Sequence, residues 1–153
     1  MVKRTVSTLK SHIGYHLRVV SNEVSQAFAK KLSKLDVTVA EWVIMREMYS
    51  MQKPTSPSDI AEIVGLTRGA VSKLIVRLLN KNLVTRTESS NDGRFQEIRL
   101  TSKAINLIPS LANSADENDK LFFGVLSENE KTCLIKILKK LTAHHKFNKN
   151  PTE

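Results

Sequence analysis

DIAEIVGLTRGAVSKLIVRLLNKN, residues 59–82, decides how this chain is to be read. Its first part is a short helical pattern closed by Gly65. Its second runs from a Thr67 cap to about Lys81 or Asn82 and sets Val71, Leu74, Ile75, Leu78 and Leu79 along one side at helical spacing. The other side carries Arg68, Ser72, Lys73 and Arg77, with Gly69 and Ala70 directly behind the cap. Ala61, Gly65, Val71 and Leu74 stand at the spacing of a helix-turn-helix. The alanine lets two helices cross closely, and the glycine four residues on takes a positive φ cheaply. The apolar residues ten and thirteen positions after the alanine lock the crossing angle, and Ile60, Val64 and Leu66 complete that core. A solvated surface helix would account for the polar side. A small, basic front on a buried back suits a helix that enters a nucleic-acid groove.

Downstream, LVTRTES and RFQEIRLT alternate in polarity around SNDG and predict a β-hairpin. Helix-turn-helix followed by hairpin is a winged-helix order. Arg94 falls near the wing tip, within reach of a minor groove or of phosphates. Taken alone, Asn-Asp-Gly is simply a good turn and Arg94 a solvated residue.

Upstream, an amphipathic helix is expected from about Thr5 to Lys34, with Ile13, Leu17, Val20, Val24, Phe28 and Leu32 on one stripe. That stripe is longer than a small domain's core needs and suits a partner chain. Thr38 with Glu41 forms a capping box for a helix to Met51, and Ser56 or Ser58 caps the short helix after it. Beyond the hairpin a helix runs from Ser102 to about Val125. A last helix starts at the Ser127–Glu130 box and reaches about His145, with Leu134, Ile137, Leu138 and Leu141 inward. The end, KFNKNPTE, is expected to fray. The fold class is therefore mainly α with one small hairpin, a winged helix-turn-helix at 38–101 between helical segments at 5–34 and 102–146.

The formal net charge is +9, from 24 bases and 15 acids over 153 residues. It is unevenly spread: residues 1–34 carry seven bases and one acid, 65–101 seven and three, but 35–64 two and five. An acidic partner such as nucleic acid fits this balance. A single cysteine excludes an intramolecular disulfide framework and suits a reducing compartment. No apolar run suggests a signal peptide or a membrane span, so a cytoplasmic protein with no membrane partner is expected.

The stretch SPSDIAEIVGLTRGAVSKLIVRLLNKNLVTRTESSNDGRFQEIRLTSKA, residues 56–104, resembles the winged-helix core of the MarR family of bacterial transcriptional regulators. The resemblance lies in a helix-turn-helix, then L-V-T-R, a wing with Asp-x-Arg and a closing I-R-L-T. IGYHLRVVSNEVSQAF looks like the family's first helix, VTVAEWVIMREM like its second, and residues 102–145 like its two closing helices. The resemblance implies a homodimer whose first helix and last two helices interlace and whose two winged domains read a palindrome in double-stranded DNA, commonly as a repressor. Carried over residue by residue, the DNA-reading positions are Arg68, Gly69, Ala70, Ser72 and Lys73, with Thr67 as cap. Thr55 and Ser58 are candidate phosphate contacts, Arg77 and Lys81 lie further back, and Arg94 matches the wing arginine, braced by Asp92. Gly69-Ala70 stands where many members carry larger or hydroxyl-bearing side chains. Base readout is thereby shifted onto Arg68, Lys73 and DNA shape.

The resemblance also implies a pocket for a small aromatic or amphipathic effector, matched here by His12, Tyr15 and His16 on the first helix with Trp42 and Met45 on the second. The plainer reading is that Trp42 and Met45 fill the core and the histidines are half-exposed. His12 and His16 sit four apart, the spacing of a two-histidine metal site, but no third ligand lies near in sequence, and no metal or cofactor is assigned. Cys133, in the last helix beside Leu134 and Ile137, is expected to be a buried, inert thiol. An enzyme is not indicated: there is no phosphate loop, metal-hydrolase motif or nucleotide fingerprint. The competing class is a basic helical module that binds polyanions or an acidic protein without sequence preference.

Overall fold

A computed structural model describes residues 6–88 and 96–152. Among them, a 3-10 turn at Leu9–Ser11 precedes α1 (Ile13–Ser33), α2 (Val39–Met51), α3 (Pro57–Val64) and α4 (Arg68–Asn80). Then come β1 (Val84–Glu88), β2 (Gln96–Leu100), α5 (Ser102–Phe123) and α6 (Glu128–His145). The mainly helical architecture with one hairpin is the one expected. The first helix, however, begins at Ile13 rather than near Thr5. His12 is extended, at φ −91° and ψ 131°. The Ser and Thr residues before it favour local side-chain bonds over helix, as when Ser11 Oγ donates to the Thr8 carbonyl at 2.7 Å.

The helix starts are set by side chains that accept the free first-turn N–H groups. Thr38 with Glu41, Ser56 with Asp59 and Ser127 with Glu130 form reciprocal capping boxes. Thr67 and Thr101 accept from the N–H of Ala70 and Ala104. Ser56, not Ser58, caps α3, because Pro57 takes the first helical position, where its missing N–H costs nothing.

The core lies under the helix-turn-helix. Ile44, Met45 and Met48 of α2 pack with Ile60, Ala61 and Val64 of α3 and with Val71, Leu74, Ile75 and Leu78 of α4. Leu32, Ile98, Ala104, Ile108 and Leu111 close it from α1, β2 and α5. β1 and β2 pair antiparallel in the register Val84↔Leu100 to Glu88↔Gln96. A third segment joins them: Thr55 and Ile98 exchange backbone hydrogen bonds of 3.1 and 2.8 Å, tying the start of α3 to the hairpin. The hairpin does not bury one face along its length. In β1 only Val84 is buried, because the strands run outward past the core.

Outside this core the chain leaves apolar side chains uncovered. Ile13 is 85% exposed and Leu17 50%. α6 buries no residue, so the expected inward packing of Leu134, Ile137, Leu138 and Leu141 is not found within one chain; Ile137 is 52% exposed. Cys133 is likewise exposed rather than buried. The end of the chain is not free of contacts either, since Asn150 bonds to the last turn of α3. Among the described residues no helix is long and apolar enough to cross a membrane.

Candidate nucleic-acid interface

The four residues that suggested the helix-turn-helix meet as expected. Ala61, Val71 and Leu74 are buried between α3 and α4, and Gly65 ends α3 in the left-handed region at φ 69°. A Cβ there would be strained whatever the space, so glycine is the residue this turn needs. With its apolar side held in the core, α4 must turn Arg68, Gly69, Ser72, Lys73 and Arg77 outward, and all five are exposed.

The front of α4 suits an anion. Its first turn contains no acidic residue, and the helix dipole adds positive potential to its leading N–H groups. Thr67 Oγ accepts from the Ala70 N–H at 3.2 Å, which fixes the start of the helix. Around Gly69 an added Cβ would meet nothing within 4 Å among the described residues, so no packing among them explains a glycine there. Val76, not among the residues expected to face DNA, is 48% exposed on the same face as Ser72 and Lys73. Its i, i+3, i+4 relation to them was the available signal.

Ser58 is exposed in the first turn of α3, on the side where phosphate contact was expected. Thr55 is not so placed. It is 2% exposed, with its hydroxyl donating to the Lys53 carbonyl at 3.2 Å, and it serves the link to Ile98. Lys81 is also a structural residue. Its ammonium donates to Glu41 Oε2 at 2.9 Å and to the Asp36 carbonyl at 2.7 Å, joining the end of α4 to the buried carboxylate that caps α2. Two hydrogen bonds from Ser56, helped by Lys53, hold the Asp59 carboxyl below its ordinary value, so the α3 cap is ionised over a wide pH range. Arg94 and Asp92 lie outside the described residues.

The five residues matched to an effector pocket fall into two groups. His12, Tyr15 and His16 stand at the start of α1, where the His16 ring donates to the Lys10 carbonyl at 2.8 Å. Trp42 is half-buried and lines a cavity of about 270 Å³ with Val24, Phe28 and Asn118, while Met45 is in the core. Val24 is eight residues beyond His16, about 12 Å along α1, and none of His12, Tyr15 and His16 lines the cavity beside Trp42. Asn118 is 4% exposed; its amide donates to the Val24 carbonyl at 3.1 Å and its Oδ1 has no partner among the described residues. Among the described residues no group of three His, Cys, Asp or Glu side chains is placed to hold a metal.

Residues 35–94, from the loop before α2 into the wing, match the model of the MarR family. The chain is similar in structure to Staphylococcus aureus MepR in complex with DNA, at 26% identity and a TM-score of 0.75, over 90% of this chain and 99% of that one. It is similar in fold to Bordetella bronchiseptica BpsR, whose DNA binding is regulated by 6-hydroxynicotinic acid: 20% identity, TM-score 0.77, 90% of this chain and 98% of that one. A variant of Escherichia coli MarR complexed with operator DNA shares the fold at 22% identity and a TM-score of 0.75, over 88% of this chain and 99% of that one. The family model thus spans the helix-turn-helix, and the likeness in fold extends across the helices on either side of it.

Proposed function

We propose that the protein is a DNA-binding transcriptional regulator, not an enzyme, acting in the cytoplasm as a homodimeric repressor on a pseudo-palindromic operator. The observation that carries this reading is the front of α4: exposed Arg68, Ser72 and Lys73 around a Gly69 with open space before it, on a helix whose back is fully buried. Residues 38–101 form the DNA-reading region, and 5–34 with 102–146 the dimerising one. The uncovered apolar faces of α1 and α6 support that division, since a second copy is the partner that would cover both.

On this reading the two α4 helices enter successive major grooves about 34–36 Å apart. Arg68 and Lys73 donate to guanine acceptors or phosphates, Ser72 takes either role, and Val76 offers an apolar contact to a thymine methyl. Ala70 and Gly69 let the backbone approach the groove floor. Thr67 holds the helix start, Ser58 and Arg77 meet phosphates, and Arg94 reaches the flanking minor groove or backbone from the wing. The relatives that bind DNA support this assignment, and BpsR supports an effector that acts on it.

The test is binding of the purified protein to the DNA upstream of its own coding sequence, against scrambled DNA of equal length, across a salt series. Sequence-dependent binding that weakens steeply with salt is the expected result. Equal binding to both DNAs would favour the basic polyanion-binding module.

A further inference from the structure

The segment after α6 turns back onto the helix-turn-helix. Lys146 adopts the left-handed conformation at φ 55° and ends α6. The chain then reaches the end of α3, whose last carbonyls have no partner within the helix. There the Asn150 backbone N–H donates to the Val64 carbonyl and its side-chain amide to the Ile63 carbonyl, both at 3.4 Å. A Cβ on Gly65 would stand 3.0 Å from the Asn148 carbonyl oxygen and 3.0 Å from Lys149 Cα. The glycine that makes the turn therefore also lets the tail lie against it. One residue further on, Pro151 lines the cavity beside Trp42 and Phe28.

Lys149 is thus held beside the anchored Asn150, with its backbone against Gly65. Its side chain is exposed, and none of the ion pairs among the described residues uses it. The turn beside it leads in three residues to Arg68, a span of at most about 11 Å. A lysine carries its charge on a flexible four-carbon stem and binds phosphate as a point charge. On the DNA-binding reading above, a duplex seated on the front of α4 would run its phosphate strand along this turn.

We propose that the tail is a further DNA-contacting element beside α3, α4 and the wing, with Lys149 as a backbone phosphate contact. The inference rests on the DNA-binding reading above. Asn150 is its positioning residue, because it fixes the tail to the carbonyls of α3. A contact of this kind adds affinity without sequence information.

The experiment compares the full chain with Lys149→Gln and Lys149→Arg on the preferred and scrambled DNAs across the same salt series, with Lys73→Ala in parallel. Lys149→Gln is expected to weaken binding to both DNAs by the same factor and to flatten the plot of log affinity against log salt by about 0.9 per half-site. Lys149→Arg should keep the native slope. Asn150→Ala, which frees the tail but keeps the lysine, should give an intermediate slope. An unchanged slope in Lys149→Gln alongside a weakened Lys73→Ala overturns the tail contact and leaves the DNA reading intact. No binding of the native chain to either DNA overturns both.

Discussion

Lys73, in α4, and Lys81, at the C-terminal cap of that helix, are eight residues apart and do opposite things. Lys73 stands free at the front of α4, whereas Lys81 is turned inward onto the fully buried Glu41. Replacing Lys73 or Arg68 with alanine should lower affinity for the preferred DNA by about 1–3 kcal/mol where a base contact is lost, with little effect on folding. Equal losses on preferred and scrambled DNA in a titration would reduce that residue to a phosphate contact. Lys81→Met should instead leave a buried carboxylate without its partner, at a cost of about 3–5 kcal/mol in urea unfolding. A Lys81→Met chain as stable as the native one would remove the pair from the stability account. Residue type alone could not separate these lysines, because what divides them is Glu41, forty positions away in sequence and brought to Lys81 by the fold.

The helices were the most legible elements, since each cap is a local pattern. Thr38-x-x-Glu41 and Ser127-x-x-Glu130 formed the boxes they spelled. Where a long-range contact decides, local signals fell short. Thr55 looks like an exposed hydroxyl before a helix, yet its backbone is captured by Ile98 and it is buried. The tail looks like a polar end, yet Asn150 finds the open carbonyls of α3. Ser56→Ala should destabilise the protein by about 1 kcal/mol at neutral pH, by removing the hydroxyl half of the α3 box while the residue-56 N–H still donates to Asp59. Asp59 has its carboxyl pKa lowered in the folded state, so its contribution is present above the ordinary aspartate value and is lost as pH falls through the lowered one. The difference between Ser56→Ala and the native chain should therefore shrink in acid, as measured by denaturant midpoints from pH 7 to about pH 2. A constant difference would mean that the Ser56 hydroxyl does not act on the Asp59 carboxylate.

At the scale of the whole molecule, the core under the helix-turn-helix is closed within one chain, but the faces of α1 and α6 are not. The sequence showed this for α1, where the stripe from Ile13 to Leu32 outran any single core. For α6 it showed an apolar face that fits a dimer, but such a face reads the same whether its cover is its own chain or another. Ile137→Glu should break the dimer, seen by sedimentation as a halved mass, while far-ultraviolet circular dichroism keeps its helical signal. A dimeric mass for that variant would place the interface elsewhere. The exposed α6 face also has a consequence in the cell. Where folded dimers exchange with free chains, the amount of operator-competent protein rises as the square of the free-chain concentration, by mass action. A modest fall in synthesis, or dilution at division, would then release the operator far more sharply than a monomeric binder could. Ile137 and its neighbours would set how many copies of the chain count as enough.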